Sequence, residues 1–243
     1  VAEVIGVTPE TSTARTLRLR LPGLTGHRAG QHVDVRLTAP DGYTAVRSYS
    51  VASALPGDEL DLTVEELDDG EVSPYLVRQV AVGDQLEVRG PVGGWFVWDP
   101  ADPSPVQLIA GGSGVVPLMA MIRAHAAAGP DLPGRTAPFR LLYSVRSPDA
   151  AYYTAELTEL ADSTLLDVTY VYTREAPLGS AVTPHRLDAA TLLAAVLPVA
   201  DRPSFFICGA TAFVETVADW LVHAGYPADR IKTERYGGTG SRP

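Results

Sequence analysis

The sequence predicts two domains of different class. An all-β domain, a small barrel or sandwich, occupies residues 1–101, and a doubly wound parallel α/β sheet occupies residues 104–243. Three observations carry that prediction. Short alternating segments recur between turn signals through the first part of the chain, a proline cluster follows, and beyond it short apolar runs alternate with helical ones.

In the first part, the alternating segments are residues 16–21, 31–37, 47–51, 60–66 and 85–90. Pro22-Gly23, Asp41-Gly42, Pro56-Gly57, Asp69-Gly70 and Gly83-Asp84 supply the turns between them. A short helix is predicted over residues 73–79, with Ser73 as its cap and Pro74 at its first position. The boundary falls in Asp99-Pro100-Ala101-Asp102-Pro103-Ser104-Pro105, because clustered prolines deny both helical and ladder hydrogen bonds.

After the boundary, strands are predicted at 106–110, 139–145, 166–173, 204–208 and 230–235. Helices are predicted at 115–128, 150–160, 188–197 and 212–223. Such alternation makes a parallel sheet whose ligands lie at the carboxyl ends of the strands, beside the point where strand order reverses. Gly111, Ser144, Thr173 and Gly209 are expected along that edge.

Bulk properties remove several function classes. The formal net charge of -10 over 243 residues argues against nucleic acid, whose phosphates call for a basic face. One cysteine excludes an internal disulfide framework and any cluster held by four thiolates of these residues. No apolar run reaches the ~20 residues needed to span a bilayer, and a cytoplasmic location is expected. The five histidines show no metal-ligand spacing, so no metal is expected.

The chemistry concentrates in a few stretches. Residues 106–117 read VQLIAGGSGVVP, an apolar strand running into Gly111, Gly112, Ser113 and Gly114, with a helix opening near Pro117. Backbone N–H groups in such a turn approach a phosphate closely, although a tight turn under a helix is the simpler alternative. In Arg47-Ser48-Tyr49-Ser50, the Arg47 fork suits a pyrophosphate and also suits a surface salt bridge. Tyr49 suits either an aromatic ring system or a barrel face. Ser73 reads as helix cap, phosphate ligand or both. Cys208 follows Phe205, Phe206 and Ile207, and without a histidine nearby in sequence it reads as a small buried residue rather than a nucleophile.

Arg47-Ser48-Tyr49-Ser50, then Gly70-Glu71-Val72-Ser73, then the glycine turn, then Cys208-Gly209, is an order that resembles the ferredoxin-NADP reductase superfamily over nearly the whole chain. The resemblance implies an antiparallel Greek-key β-barrel as the first domain, with FAD held by Arg47, Ser48, Tyr49, Val64, Gly70, Glu71, Val72 and Ser73 and with Ser50 hydrogen-bonded near flavin N5. FMN is the alternative flavin. It implies a nicotinamide pocket at Cys208 and Gly209, although Ala210 stands where the family usually has proline. Glu234 and Tyr236, in the stretch 233–238, resemble the carboxyl-terminal pair that flanks the flavin, with Tyr236 covering its face.

Gly111, Gly112, Ser113, Gly114, Ser144, Arg146, Thr173 and Arg174 would hold the dinucleotide. The two arginines favour NADP(H). Asp149 leaves NAD(H) open, since it suits ribose hydroxyls as well as a pairing with Arg146.

The implied activity is hydride transfer from NAD(P)H to FAD, followed by release of single electrons. Because the chain runs only a few residues past Gly238, the acceptor is expected to be a separate protein, a ferredoxin, a haem protein or another metalloprotein. Two alternatives are direct reduction of a small acceptor such as a ferric chelate, and an electron-relay subunit of a larger complex.

Overall fold

A computed structural model describes residues 1–54, 56–67 and 69–236 of the chain. It divides into two compact units, Val1–Asp99 with Met119–Ala127, and Pro100–Leu118 with Ala128–Pro243.

In the first unit, successive side chains along a strand point to opposite faces of the sheet, so residues two apart share one face. The strands are β1 (Ala2–Pro9), β2 (Ala14–Arg20), β3 (His32–Thr38), β4 (Thr44–Ser50), β5 (Glu59–Glu65) and β6 (Gln85–Val92). They pair antiparallel in the order β4-β3-β6-β1-β2-β5. The chain enters the central β6 position last, which is the Greek-key crossing. A bridge between Val51 and Leu62, with Ala52 N–H donating to the Asp61 carbonyl at 2.8 Å, brings the end of β4 back to β5 and closes the barrel. Leu17 and Leu19, Val33 and Val35, and Leu60 and Leu62 fill its interior. Each such leucine contributes about 1.5–3 kcal/mol by leaving water.

The second unit contains β7 (Val106–Gly111), β8 (Phe139–Val145), β9 (Asp167–Tyr172), β10 (Ser204–Ala210) and β11 (Ile231–Tyr236), all parallel, in the order β11-β10-β7-β8-β9. Strand order reverses at β7, which has β8 on one side and β10 on the other. Of the helices, α1 (Ser73–Arg78) follows β5. In the second half come α2 (Val115–Ala127), α3 (Thr154–Asp162), α4 (Ala189–Ala195) and α5 (Thr211–His223). Leu192 and Val196, with Val214, Val217 and Leu221 of α5, pack on Ile109, Leu142, Phe205 and Ile207 of the sheet. No helix among the described residues is long and apolar enough to cross a membrane.

Several local expectations need correction. β1 was not anticipated, because a register shift between Val4 and Gly6 interrupts its alternation. Ser73 does not cap α1. The cap position is Val72, with no side-chain cap bond, and Pro74 is the helix's second residue. The Ser73 hydroxyl instead accepts the Leu67 N–H at 3.1 Å. The helix expected at 150–160 begins at Thr154, after Tyr153 in the left-handed region at φ 56. Tyr152 and Tyr153 are buried, and the Tyr152 N–H donates to the Tyr143 hydroxyl, so packing overrides local helix propensity there. The helix expected at 188–197 is shorter at both ends. Asp188 is its cap, accepting from Thr191 N–H at 2.7 Å, and Leu197 N–H donates to the buried Gln107 side chain.

Candidate functional site

On the barrel, Arg47 lies on β4 with its side chain exposed. Its Nη2 donates to Glu71 Oε2 at 2.6 Å and its Nη1 to the Val46 carbonyl at 2.8 Å. The Tyr43 hydroxyl donates to the other Glu71 oxygen at 3.2 Å. Tyr49 is half-buried against the barrel core. Burial pushes its phenol up to about 12, against a smaller opposing effect of Arg47, so the ring is neutral at physiological pH. The Ser48 hydroxyl donates to Asp34 at 2.6 Å, and Ser50 stands half-buried at the end of β4.

Gly70 lies in the bend between β5 and α1. A Cβ there would stand 2.6 Å from the Ser73 hydroxyl oxygen and 3.0 Å from the Leu67 carbonyl, so only glycine lets this bend close. Ser73, 6% exposed, keeps its O–H available to donate after accepting from Leu67. Val64 and Val72 are core residues, and only their backbones are available to a ligand. Arg47, Glu71 and the 70–73 bend are therefore one cluster. A guanidinium fork beside a glycine-built bend with a buried hydroxyl fits the phosphate of a flavin nucleotide.

In the second unit, Gly111 ends β7 and Gly112 to Gly114 form a single 3-10 turn into α2. Gly112 takes φ +55, and a Cβ on Gly114 would lie 2.1 Å from the Cys208 carbonyl oxygen. The turn of β7 thus rests directly on the end of β10, at the switch point of the sheet. A Cβ on Gly111 or Gly209 would run into the Phe213 ring at 2.8 Å, which fixes both as glycine. Phe213 is a contributor that no local pattern announced. Tyr236 donates its hydroxyl to the Gly111 carbonyl at 2.6 Å, so it stands at the glycine turn. Ser113 is half-buried in the turn, and Gly238 and Gly237 of the carboxyl-terminal stretch lie outside the described residues.

Cys208 is 2% exposed, and burial, with the Glu234 carboxylate beside it, pushes its thiol well above the ordinary range. It is a neutral wall residue, with Glu234 as its register partner on β11. Along the same edge, Ser144 is the register partner of Gly111. Thr173 N–H donates to the Val145 carbonyl at 2.9 Å, Arg174 N–H to the Arg146 carbonyl at 2.9 Å, and Glu175 N–H to the same carbonyl at 3.1 Å. Arg146, Arg174 and Asp149 are exposed, and none joins an ion pair among the described residues. No group of three or more metal-ligating side chains is assembled among the described residues.

A barrel with an arginine beside a glycine-built bend, and a parallel sheet with a glycine turn at its switch point, are arrangements suited to a flavin nucleotide and to a dinucleotide. Residues 2–97 match the oxidoreductase FAD-binding domain family and residues 108–219 the oxidoreductase NAD-binding domain family. The chain belongs to the ferredoxin-NADP reductase superfamily and carries that family's FAD-binding and NAD-binding oxidoreductase domains. It is 33% identical over 215 residues to ferredoxin--NADP reductase B of Sorangium cellulosum, a match covering 86% of this chain and 84% of that protein. It is 31% identical over 251 residues to the ferredoxin reductase component of 3-ketosteroid-9-alpha-monooxygenase from Mycolicibacterium smegmatis, covering 100% of this chain and 66% of that protein. The fold is shared with the flavohem-like FAD/NAD binding domain of nitric oxide dioxygenase from Vibrio cholerae, with a TM-score of 0.84 at 24% identity and 98% coverage of both chains. The chain spans between 37% and 66% of the length of five of the curated relatives it matches.

Proposed function

We propose that the chain is a reductase that takes hydride from NADPH in preference to NADH and passes electrons singly to a separate protein, a ferredoxin or the metalloprotein of an oxygenase. Bound FAD supplies the conversion between a two-electron donor and one-electron acceptors. The chain's own residues supply position and electrostatics. Arg47 and the 70–73 bend hold the flavin phosphate, Tyr49 packs against the ring system with its phenol neutral, and Ser50 places a hydroxyl near N5. The glycine turn and Ser113 receive the dinucleotide phosphates. Cys208 and Gly209 line the nicotinamide pocket, where a thiol kept neutral adds no competing nucleophile. Glu234 and Tyr236 complete that wall. The same reading assigns residues 1–101 to the flavin and 104–243 to the dinucleotide, and a cytoplasmic setting agrees with the one buried free thiol.

The observation that carries the NADPH preference is the backbone hydrogen bond from Arg174 N–H to the Arg146 carbonyl, with neither guanidinium engaged by a carboxylate among the described residues. Two guanidinium groups at the ends of adjacent strands suit a 2'-phosphate. The acceptor class is supported by relatives whose names are reductase components: that of the ketosteroid monooxygenase above, and the glycine betaine monooxygenase reductase subunit of Chromohalobacter salexigens.

Anaerobic stopped-flow reduction of the FAD-loaded chain with NADPH and with NADH, followed by an acceptor panel, tests the reading. Faster bleaching of the flavin band by NADPH and a preference for a purified ferredoxin over ferric chelates are expected. A preference for the chelates would assign the chain to small acceptors. Bound flavin that neither dinucleotide bleaches would make it a relay subunit.

A further inference from the structure

Glu71 places a negative charge at the very group that is read as the phosphate anchor. Its carboxylate takes the Arg47 Nη2 donor at 2.6 Å and is held from the other side by the Tyr43 hydroxyl at 3.2 Å. The remaining Arg47 amino group is turned to the Val46 carbonyl. Both members of the ion pair are about half exposed, 51% for Arg47 and 49% for Glu71. A phosphate that joins Arg47 therefore shares it with a fixed carboxylate, and the pair offers that phosphate no net positive charge.

We propose that Glu71 is a specificity-determining residue of the flavin site, selecting FAD over FMN by charge. This rests on the reading of Arg47 and residues 70–73 as the flavin phosphate site. The two cofactors carry the same isoalloxazine ring and ribityl chain and differ at the phosphate. In FAD each phosphorus of the diphosphate is doubly esterified and bears one negative charge. FMN is a phosphomonoester whose second proton leaves at about pH 6, so at neutral pH nearly two charges sit on one phosphorus. Beside an Arg47 already neutralised by Glu71, FMN concentrates on one phosphorus the charge that FAD spreads over two, and so meets the greater repulsion from the carboxylate. An exposed charge pair at this range is worth up to about 1 kcal/mol, or about fivefold in affinity per unit of charge. The carboxylate thus sets the preference without touching the adenosine half of FAD.

The test is equilibrium titration of the flavin-free full chain with FAD, FMN and riboflavin at neutral pH, read by flavin fluorescence and independent of turnover. It compares the unmodified chain with Glu71→Gln and Arg47→Ala. Glu71→Gln is expected to lower the FMN Kd more than the FAD Kd, by up to about fivefold, leaving riboflavin, which has no phosphate, within about twofold. An unchanged ratio of FMN to FAD Kd in Glu71→Gln, while Arg47→Ala weakens both nucleotides relative to riboflavin, overturns the role of Glu71 and leaves the phosphate site standing. If Arg47→Ala changes neither nucleotide relative to riboflavin, the phosphate site itself is misplaced and the proposal falls with it. Both side chains are half exposed, so neither substitution opens a core cavity.

Discussion

The amide of Arg174 donates to the carbonyl of Arg146 at 2.9 Å, which laces the chain leaving β9 to the chain leaving β8. Two guanidinium groups are thereby carried on one short piece of paired backbone, at the edge where a parallel sheet binds nucleotides. Replacing Arg174 with alanine is expected to raise the KM for NADPH roughly tenfold to a hundredfold, the worth of a charge-assisted hydrogen bond, with NADH changing less than about threefold. Steady-state kinetics with both donors reads this directly. Equal losses for the two would give Arg174 a purely structural role.

Ser50 ends β4 two residues beyond Ser48, whose hydroxyl is committed to Asp34. If the Ser50 hydroxyl contacts the flavin near N5, Ser50→Ala removes a hydrogen bond at the reacting atom while leaving the phosphate and ring contacts in place. Flavin reduction should slow roughly tenfold to a hundredfold with the FAD Kd nearly unchanged. Stopped-flow bleaching and fluorescence titration separate the two quantities, and unaltered bleaching would remove Ser50 from the reaction.

Gly114 is held against backbone rather than against a yielding side chain. A methyl group there would meet the Cys208 carbonyl oxygen at 2.1 Å and its carbon at 2.4 Å. Gly114→Ala must push the β7 turn away from β10. A loss of roughly 2–4 kcal/mol in unfolding free energy is expected, together with weakened NADP binding. Gly94→Ala is the control, because nothing lies within 4 Å of a Cβ at that position. Denaturant unfolding of the two variants should differ by nearly the whole effect.

The legible parts of the chain were those whose signal is local. Leu17 with Leu19, Val33 with Val35, and Leu60 with Leu62 announce their strands because an apolar residue recurs at every second position. β1 escaped because Gly6 sits at a register shift that moves the later residues out of step with Val4. Ser73 matched the composition of a helix cap, but cap preference does not distinguish the cap from the position after it, and Leu67 took its hydroxyl. Arg146 and Arg174 were readable as strand ends, since a parallel sheet brings all carboxyl ends to one edge. The Arg47–Glu71 contact was not readable. It joins residues 24 apart across a bend, and sequence alone shows only that both are charged. Phe213, against which Gly111 and Gly209 are fixed, likewise exists as a contact only after β7 and β10 are neighbours.

Tyr49 makes a prediction for alkaline stability whose sign follows from burial. Its phenol is raised from 10.0 to about 12 in the folded chain, so the folded state holds this proton to higher pH than the unfolded state does. The stabilisation is fully present below the unfolded value near 10 and is lost as pH rises through the folded value. Linkage gives a loss of about 1.4 kcal/mol by about pH 11 and roughly twice that beyond both values. Tyr170, Tyr172 and Tyr226 are raised as well and weaken the fold over an overlapping range, so the contribution of Tyr49 must be read as a difference. Urea unfolding of the unmodified chain and of Tyr49→Phe should give free energies that move together up to about pH 9. Above it the unmodified chain should lose the additional increment, because phenylalanine has no proton to release. Parallel curves throughout would mean that the Tyr49 hydroxyl is hydrated in the folded state, and that the barrel does not present this ring to the flavin as a desolvated surface.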